Sequence, residues 1–573
     1  MKKLLDILSD ELKRAFKEAG YDDEKIIVTA SNRPDLCEYQ CNGAMALAKE
    51  AHKAPFMIAE EVVTRLEGSG YFSKAECVKP GFINLNISDD FLASYISEEA
   101  TADKFGLENK ASKKVVVDYG GPNVAKPLHI GHLRAAIIGE AVKRISKYVG
   151  NDTLGDIHMG DWGLQMGLII AEMKERGMDR MPTLDELSEI YPAASEKSKA
   201  DEAFKDKAMD ITFGLQHGNE EYLKIWRHIM DISVADLKQN YDKLNVSFEI
   251  WKGEADADPY IAPMVEKMKK DGYAYESQGA LVVDVSEDTD AKEVPPCMIL
   301  KSDGASLYTT TDLATLVQRE QDYDPDAVIY VVDKRQELHF VQVFRTAKKC
   351  GIVPDATELS FLGFGTMNGS DGKPFKTRSG GVMRLESLLD EVYEKCLERM
   401  RENGADMTED ELKNTAAKIA LAAIKYGDLS NEARKDYVFD IDKFTSFEGN
   451  TGPYILYTMV RIKSILRKYQ ENGGKANDMK ILYPANASEK SLMMTLTGFA
   501  PMTESAWEGL APHRICAYIY QLANDFNKFY HETKIISEED KARQGSWIAL
   551  IKLTLSVLEI SIDLLGFEAP EAM

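Results

Sequence analysis

The chain has 573 residues, 94 of them Asp or Glu and 70 Lys or Arg, giving a formal net charge of −24. With 44% hydrophobic and 29% charged residues it can fill several domain cores of about 150 residues each, which excludes fibrous and disordered classes. The acidic excess argues against nonspecific DNA coating and against a polybasic membrane anchor, since both need broad positive fields, but it leaves room for a local basic patch.

Leu4, Leu5, Leu8, Leu12 and Phe16 recur at helical spacing and predict an amphipathic first helix, while Asp6, Asp10 and Glu11 interrupt any signal-peptide core. No stretch approaches the roughly 20 apolar residues of a spanning helix, so a cytoplasmic protein without membrane contact is expected. Seven cysteines are scattered along the chain, unlike a disulfide framework. Cys37 and Cys41 form the one close pair, with no second pair or neighbouring histidines to complete a tetrad, and no structural zinc is expected. Alternation in GFINLNI, residues 81 to 87, predicts a strand.

At residue 115 the character changes. Val115, Val116 and Val117 form a β-branched run, a Gly120-Gly121-Pro122 turn follows, and helical text begins near Leu133 and runs towards Tyr148. A strand, a turn and a helix in that order open a βα unit of a parallel sheet. Ala280 to Val285 and Val328 to Val332 are further strand candidates, and the polar helical stretch at about 165–275 is expected to be an insertion. From about 386 the text is almost wholly helical, broken by Asn472-Gly473-Gly474. Three parts are therefore expected: a mixed α+β domain at 1–112, an α/β domain at 113–385, and an all-α domain at 386–573.

The turn after the valine strand reads DYGGPNVAKPLHIGH from Asp118 to His132. His129 and His132 fall where the next helix begins, with Gly131 between them. A helix start presents unpaired N–H groups and a positive dipole end, and two imidazoles beside a small glycine would let ATP approach closely. Surface histidines near a helix cap would look the same. Asp312 lies four residues after Tyr308, so on a helix start both share one face. Such a pair suits a planar cation with five donors, and it equally suits a helix-start aspartate with a packed tyrosine.

Further segments give this turn a family context: GDWGLQMG at 160 to 167, SDGASLYTTTDLA at 302 to 314, YVVDKRQELHF at 330 to 340, GKPFKTRSGG at 372 to 381 and FEGNTGPYILYTMVRI at 447 to 462. In this order they resemble the class I aminoacyl-tRNA synthetases, in the version of the arginyl-tRNA synthetase family, with the turn as its HIGH signature. RPDLCEYQCNGAMALAKEA near the amino terminus resembles that family's additional tRNA-binding domain. The resemblance implies a Rossmann-type catalytic domain, a helical anticodon-binding domain, and arginine, ATP, tRNA(Arg) and ATP-borne Mg²⁺ as partners. A monomer is expected, and the family typically activates arginine only with tRNA bound. Arginine-contacting positions of the family fall on Asp118, Asn123, His132, Tyr308, Asp312 and Gln336, and ATP contacts on Pro122, Asn123, His129, Gly131 and His132.

The second signature, KMSKS in most of the class, reads Pro374-Phe375-Lys376-Thr377-Arg378, with a threonine at the second lysine. The family compensates with a lysine just before HIGH, a place that Lys126 fills. Lys126, His129, His132, Lys376 and Arg378 are thus the expected catalytic set, and Lys373 joins Lys376 on the phosphates, because a cation need only reach them from some loop. In the last domain Arg461 and Lys468 are seven residues apart, with Tyr454 seven before Arg461 and no acid from Thr458 to Tyr469. Tyr454, Tyr457, Arg461 and Lys468 are expected to meet tRNA, since aromatics stack on unpaired bases and cations bind phosphate. A solvated basic face is the alternative. Phe526, Phe529 and Tyr530 are expected to be packing residues. The altered second signature leaves room for a tRNA-binding regulator without catalysis, and the intact His129, Gly131 and His132 oppose that.

Overall fold

A computed structural model describes residues 1–22, 24–108, 110–302, 304–369, 371–373, 383–402, 407–475 and 480–573. The first helix, Leu4–Glu18, buries Leu4, Leu8, Leu12 and Phe16, a stripe at helical spacing. The same core takes in β1 (Val28–Ala30), β2 (Tyr39–Cys41), β3 (Phe72–Val78) and β4 (Phe82–Ile87), an antiparallel sheet in the order β1-β2-β4-β3. Lys490 of the carboxy-terminal helices ties this domain in place, 2.7 Å from Glu38 and 3.0 Å from Asp89.

The central sheet is built from β5 (Lys114–Tyr119), β6 (Asp152–Met159) and β7 (Ile250–Gly253). Next in the chain, β8 (Ala274–Ser277), β9 (Ala280–Val283) and β10 (Cys297–Leu300) form a separate antiparallel sheet; β11 (Ala327–Asp333) and β12 (Glu358–Phe364) then return to the central one. Its order is β12-β11-β5-β6-β7, all parallel. Val115, Val116, Val117 and Val328 are fully buried because helices cover both faces, which explains the unbroken valine runs. The order changes direction between β5 and β11, and in open parallel sheets such a switch opens a crevice at the carboxyl ends of the strands.

Two expectations need correction. The stretch at about 165–275 is not wholly inserted: it supplies the helices Leu184–Ala200, Glu202–Gln216 and Glu220–Lys243, but also β7, the edge strand of the central sheet. IWKG is a four-residue edge strand, too short to show the apolar run of a doubly covered one. Ala280–Val283 is a strand, but it pairs antiparallel with β8 and β10 outside the parallel sheet.

Beyond the sheet, β13 (Met367–Asn368) pairs with β14 (Tyr437–Val438). The last domain packs helices Gly452–Glu471, Ala487–Leu496, Phe499–Glu508, His513–Glu532 and Lys541–Leu564. Among the described residues no helix is long and apolar enough to cross a membrane, and no group of three or more His, Cys, Asp or Glu side chains could hold a metal ion.

Candidate active site

The turn leaving β5 is shaped by close approach. A side chain at Gly121 would collide with the His158 carbonyl of β6, and one at Gly160 with the Asn123 side chain. Asn123 bridges to Gly160, and the Gln165 side chain donates to the Gly160 carbonyl, so the GDWGLQMG segment forms one wall of the turn. Ala125 takes a left-handed conformation, φ 63°, which costs an L-residue about 1–2 kcal/mol. The inserted helix Glu220–Lys243 helps hold it there, since the Ala125 N–H donates to Ser233 Oγ at 3.1 Å. Lys126, the next residue, places its ammonium 4.2 Å from the Tyr191 ring of the insertion.

His129 caps the helix Ile130–Tyr148. Its Nδ1 accepts the Gly131 N–H at 3.0 Å, and His132 Nδ1 accepts the His129 N–H at 3.1 Å. A ring nitrogen that accepts carries no proton, so each neutral imidazole bears its proton on Nε2. The rings lie 3.9 Å apart. Burial, then the neighbouring His129, pushes His132 down to about 3; burial, then Lys126, lowers His129. Both are therefore neutral donors near pH 7, not cations.

The expected free N–H groups at this helix start are absent. Ile130 N–H donates to the Met383 carbonyl at 3.1 Å, Gly131 N–H to His129 Nδ1, and His132 N–H to the His129 carbonyl at 2.9 Å. The capping histidine and the Met383 carbonyl consume the donors that a bare helix end would present. Leu385 N–H also bonds the Leu128 carbonyl at 2.9 Å, so the segment from Met383 to Leu385 runs along the first signature. Lys373 is exposed on the approach to the second signature. Lys376 and Arg378 lie outside the described residues.

Elsewhere at the carboxyl ends of the same sheet the side chains are acidic. Tyr308 and Asp312 share one face of the helix Tyr308–Tyr323, with Tyr308 at 75% exposure. Asp312 Oδ2 is held at 2.5 Å by His339 Nε2. Glu254, the first residue of the helix after β7, accepts the Trp162 N–H at 3.4 Å. Burial pushes its carboxyl above the ordinary range; Asp312 adds to the rise and His158 opposes it, so these three form one electrostatic neighbourhood. Gln336 is exposed at the end of β11's extension, across the switch point from Asn123. Asp118 is half-buried, with one oxygen 2.5 Å from Arg319.

Sequence reasoning missed Glu254, His158, His339 and Arg319. The available signals were an acidic helix start after a Gly in WKGEADAD, and the spacing of seven between Asp312 and Arg319.

In the last domain the basic helix is partly spent on the chain itself. Lys463 lies 2.6 Å from Glu571, and Arg467 donates to the Glu571 carbonyl at 3.3 Å. Tyr454 is half-buried: its hydroxyl donates to Asn524 at 2.7 Å and accepts from Asn527 at 3.0 Å on the neighbouring helix. Arg461 lies between the Tyr457 ring, at 4.8 Å, and the Tyr530 ring, at 5.4 Å, and Lys468 is exposed. Phe526 and Phe529 are fully buried, but Tyr530 keeps 36% of its surface. It is correspondingly a surface aromatic, because its position on the helix His513–Glu532 points past the core towards Arg461.

Residues 96–441 match the family described as tRNA synthetases class I (R), catalytic domain. The fold and the paired signatures thus define a class I aminoacyl-tRNA synthetase. Residues 455–573 match the DALR anticodon binding domain, and residues 2–87 the arginyl tRNA synthetase N terminal domain. Arginine–tRNA ligases of Agathobacter rectalis and Alkaliphilus oremlandii are 57% and 52% identical, each over the full length of both chains, and this chain belongs to the arginine–tRNA ligase family. Arginyl-tRNA synthetase of Plasmodium falciparum superposes over the full length of both chains with a TM-score of 0.84 at 24% identity. A methionyl-tRNA synthetase of Mycobacterium tuberculosis superposes over 79% of this chain and 91% of its own, with a TM-score of 0.50 at 11% identity. The fold is therefore shared across amino-acid specificities, and selection of arginine has to reside in side chains.

Proposed function

We propose that the chain joins arginine to tRNA(Arg) in two steps, using the neutral histidine pair on the phosphates and the acidic wall on the amino acid. The observation that carries these roles is that the turn leaving the carboxyl end of β5 bears His129 and His132, both Nε2–H donors, while Asp118 of β5, Asp312, tied to His339 after β11, and Glu254, directly after β7, gather at the carboxyl ends of the same sheet. In the first step an arginine carboxylate oxygen attacks the α-phosphorus of ATP; the bond to the β-phosphate oxygen breaks, giving arginyl-adenylate and pyrophosphate. His129 and His132 donate to the charge that develops, and Lys126 supplies a cation beside them. Pro122, Asn123 and Gly131 shape the nucleotide's approach, and Lys373, Lys376 and Arg378 reach the β- and γ-phosphates. Mg²⁺ rides on ATP, and no dedicated protein cage is invoked for it.

Asp118, Asp312, Tyr308 and Glu254 hold the cationic end of arginine, while Asn123, His132 and Gln336 hold its amino-acid end. In the second step the tRNA's terminal 2′-hydroxyl attacks the adenylate carbonyl, and AMP leaves with the bonding pair. Tyr457, Arg461 and Lys468 contact tRNA, with Tyr530 added from its exposure and Tyr454 retained only as a brace. The setting is the cytoplasm and the chain acts as a monomer, which light scattering tests. The decisive experiment is ATP–pyrophosphate exchange with each amino acid, with and without tRNA(Arg). Exchange specific to arginine supports the roles; exchange with another amino acid, or none with tRNA present, rejects them.

A further inference from the structure

Asp118 and Asp156 are registered partners on the adjacent parallel strands β5 and β6, so their side chains leave the sheet on one side at one rung. Carboxylates at that spacing repel, and one of them takes up a proton unless a cation intervenes. Arg319 is that cation. Its Nη2 donates to Asp118 Oδ2 at 2.5 Å and to Asp156 Oδ2 at 2.7 Å, and its Nε donates to Asp156 Oδ2 at 3.0 Å. The Arg319 side chain is 1% exposed and the Asp156 side chain 3%, with the guanidinium 5.3 Å from the Tyr330 ring of β11. Asp118 keeps 14% of its side-chain surface, and none of the hydrogen bonds among the described residues reaches its second oxygen, Oδ1.

We propose that Arg319 is a positioning residue for arginine selection: the protein's own guanidinium occupies Asp156 and one oxygen of Asp118, and so holds Asp118 ionised with its second oxygen available to the substrate's cationic group. This rests on the assignment of Asp118 to the arginine pocket. A lysine would give the same charge without the planar fork that joins two carboxylates. The groups facing Asp118 are Asp156 and His158 of β6, Arg319 of the helix Tyr308–Tyr323, and Tyr330 of β11, with Asp312 beyond Tyr330. Burial pushes the Asp118 carboxyl up most; Arg319 is the largest opposing influence, Asp156 adds to the rise and His158 opposes it. Without Arg319, Asp118 binds a proton at higher pH, and a protonated Asp118 no longer pairs with a cation.

The test is steady-state arginylation of tRNA between about pH 6 and 8.5, with KM measured for arginine and for ATP. In Arg319→Met the pH below which KM for arginine climbs moves upward by at least about one unit, a rise of roughly tenfold near the midpoint, while KM for ATP stays within about twofold. Arg319→Lys restores the wild-type pH profile with KM for arginine still raised, because charge returns without the fork. Coincident pH profiles for wild type and Arg319→Met overturn the proposal. Should Arg319→Met fail to fold, the near-isosteric Asp156→Asn decides: Arg319 then pairs with Asp118 alone, and KM for arginine rises at every pH. An unchanged KM overturns the proposal. Asp118→Asn separates the two layers. If it leaves KM for arginine unchanged, the pocket assignment itself falls; if it raises that KM while the Arg319 and Asp156 variants do not, only the positioning role falls.

Discussion

On the side of the cleft proposed for phosphate the two histidines are neutral and already bonded at one end: His129 and His132 accept backbone N–H groups at Nδ1 and offer only Nε2–H. On the side proposed for arginine the groups are carboxylates, each tethered by a protein partner, Arg319 on Asp118, His339 on Asp312 and the Trp162 N–H on Glu254. Both sides fix their groups before a ligand arrives, but the first relies on tautomers and the second on hydrogen-bond partners, of which Arg319 is a cation. Neutral donors oriented in advance stabilise developing charge without attracting ground-state anions as strongly as cations would. A cationic substrate, by contrast, needs full negative charge, and buried carboxylates stay ionised only with a partner.

The largest expected effect lies on the phosphate side. His129→Ala should slow adenylate formation roughly 10² to 10³-fold while leaving KM for arginine within about twofold, measured by single-turnover kinetics with tRNA present. An equal change in both would mean that the two sides are not separate. Next, Asp312→Ala should raise KM for arginine about 10²-fold with KM for ATP nearly unchanged. His339→Ala, which removes only the tether, should raise it less, and an equal effect would make His339 a direct ligand.

A pH series sharpens the contrast. His132 is held neutral down to about 3, whereas an unfolded histidine binds its proton below about 6.5. Between those values the unfolded chain binds more protons, so stability falls as pH drops through that interval. Thermal melts of wild type should show this slope, and His132→Asn should flatten it. The smallest effect is expected outside the cleft: Arg461→Ala should raise KM for tRNA severalfold to about tenfold without altering KM for arginine or ATP. If either small-substrate KM moved with it, the contact would be structural.

Legibility differed by residue. The valine strand, the turn and the two histidines were visible because they are contiguous and the chemistry needs them in that order. The donor states of the histidines were not, since they depend on the Gly131 and His129 N–H groups that each Nδ1 accepts and on the depth of burial. β7 was hidden because an edge strand of four residues carries no run, and with it went Glu254, which only its place after β7 brings beside Asp312. Tyr530 looked like packing because its spacing matches Phe526, and only the neighbouring helix shows that it flanks Arg461.

By itself the sequence determined the order of the α+β, α/β and all-α parts, the place of the two-histidine turn and the family to which the chain belongs, because each is written in local periodicity or contiguous motifs. Tertiary structure decided which charges meet. The registration of Asp118 with Asp156, the reach of Arg319 across both and the clasp of His339 on Asp312 join residues up to 201 positions apart. Charge interactions act through space and burial, and neither is encoded in the spacing of residues along the chain.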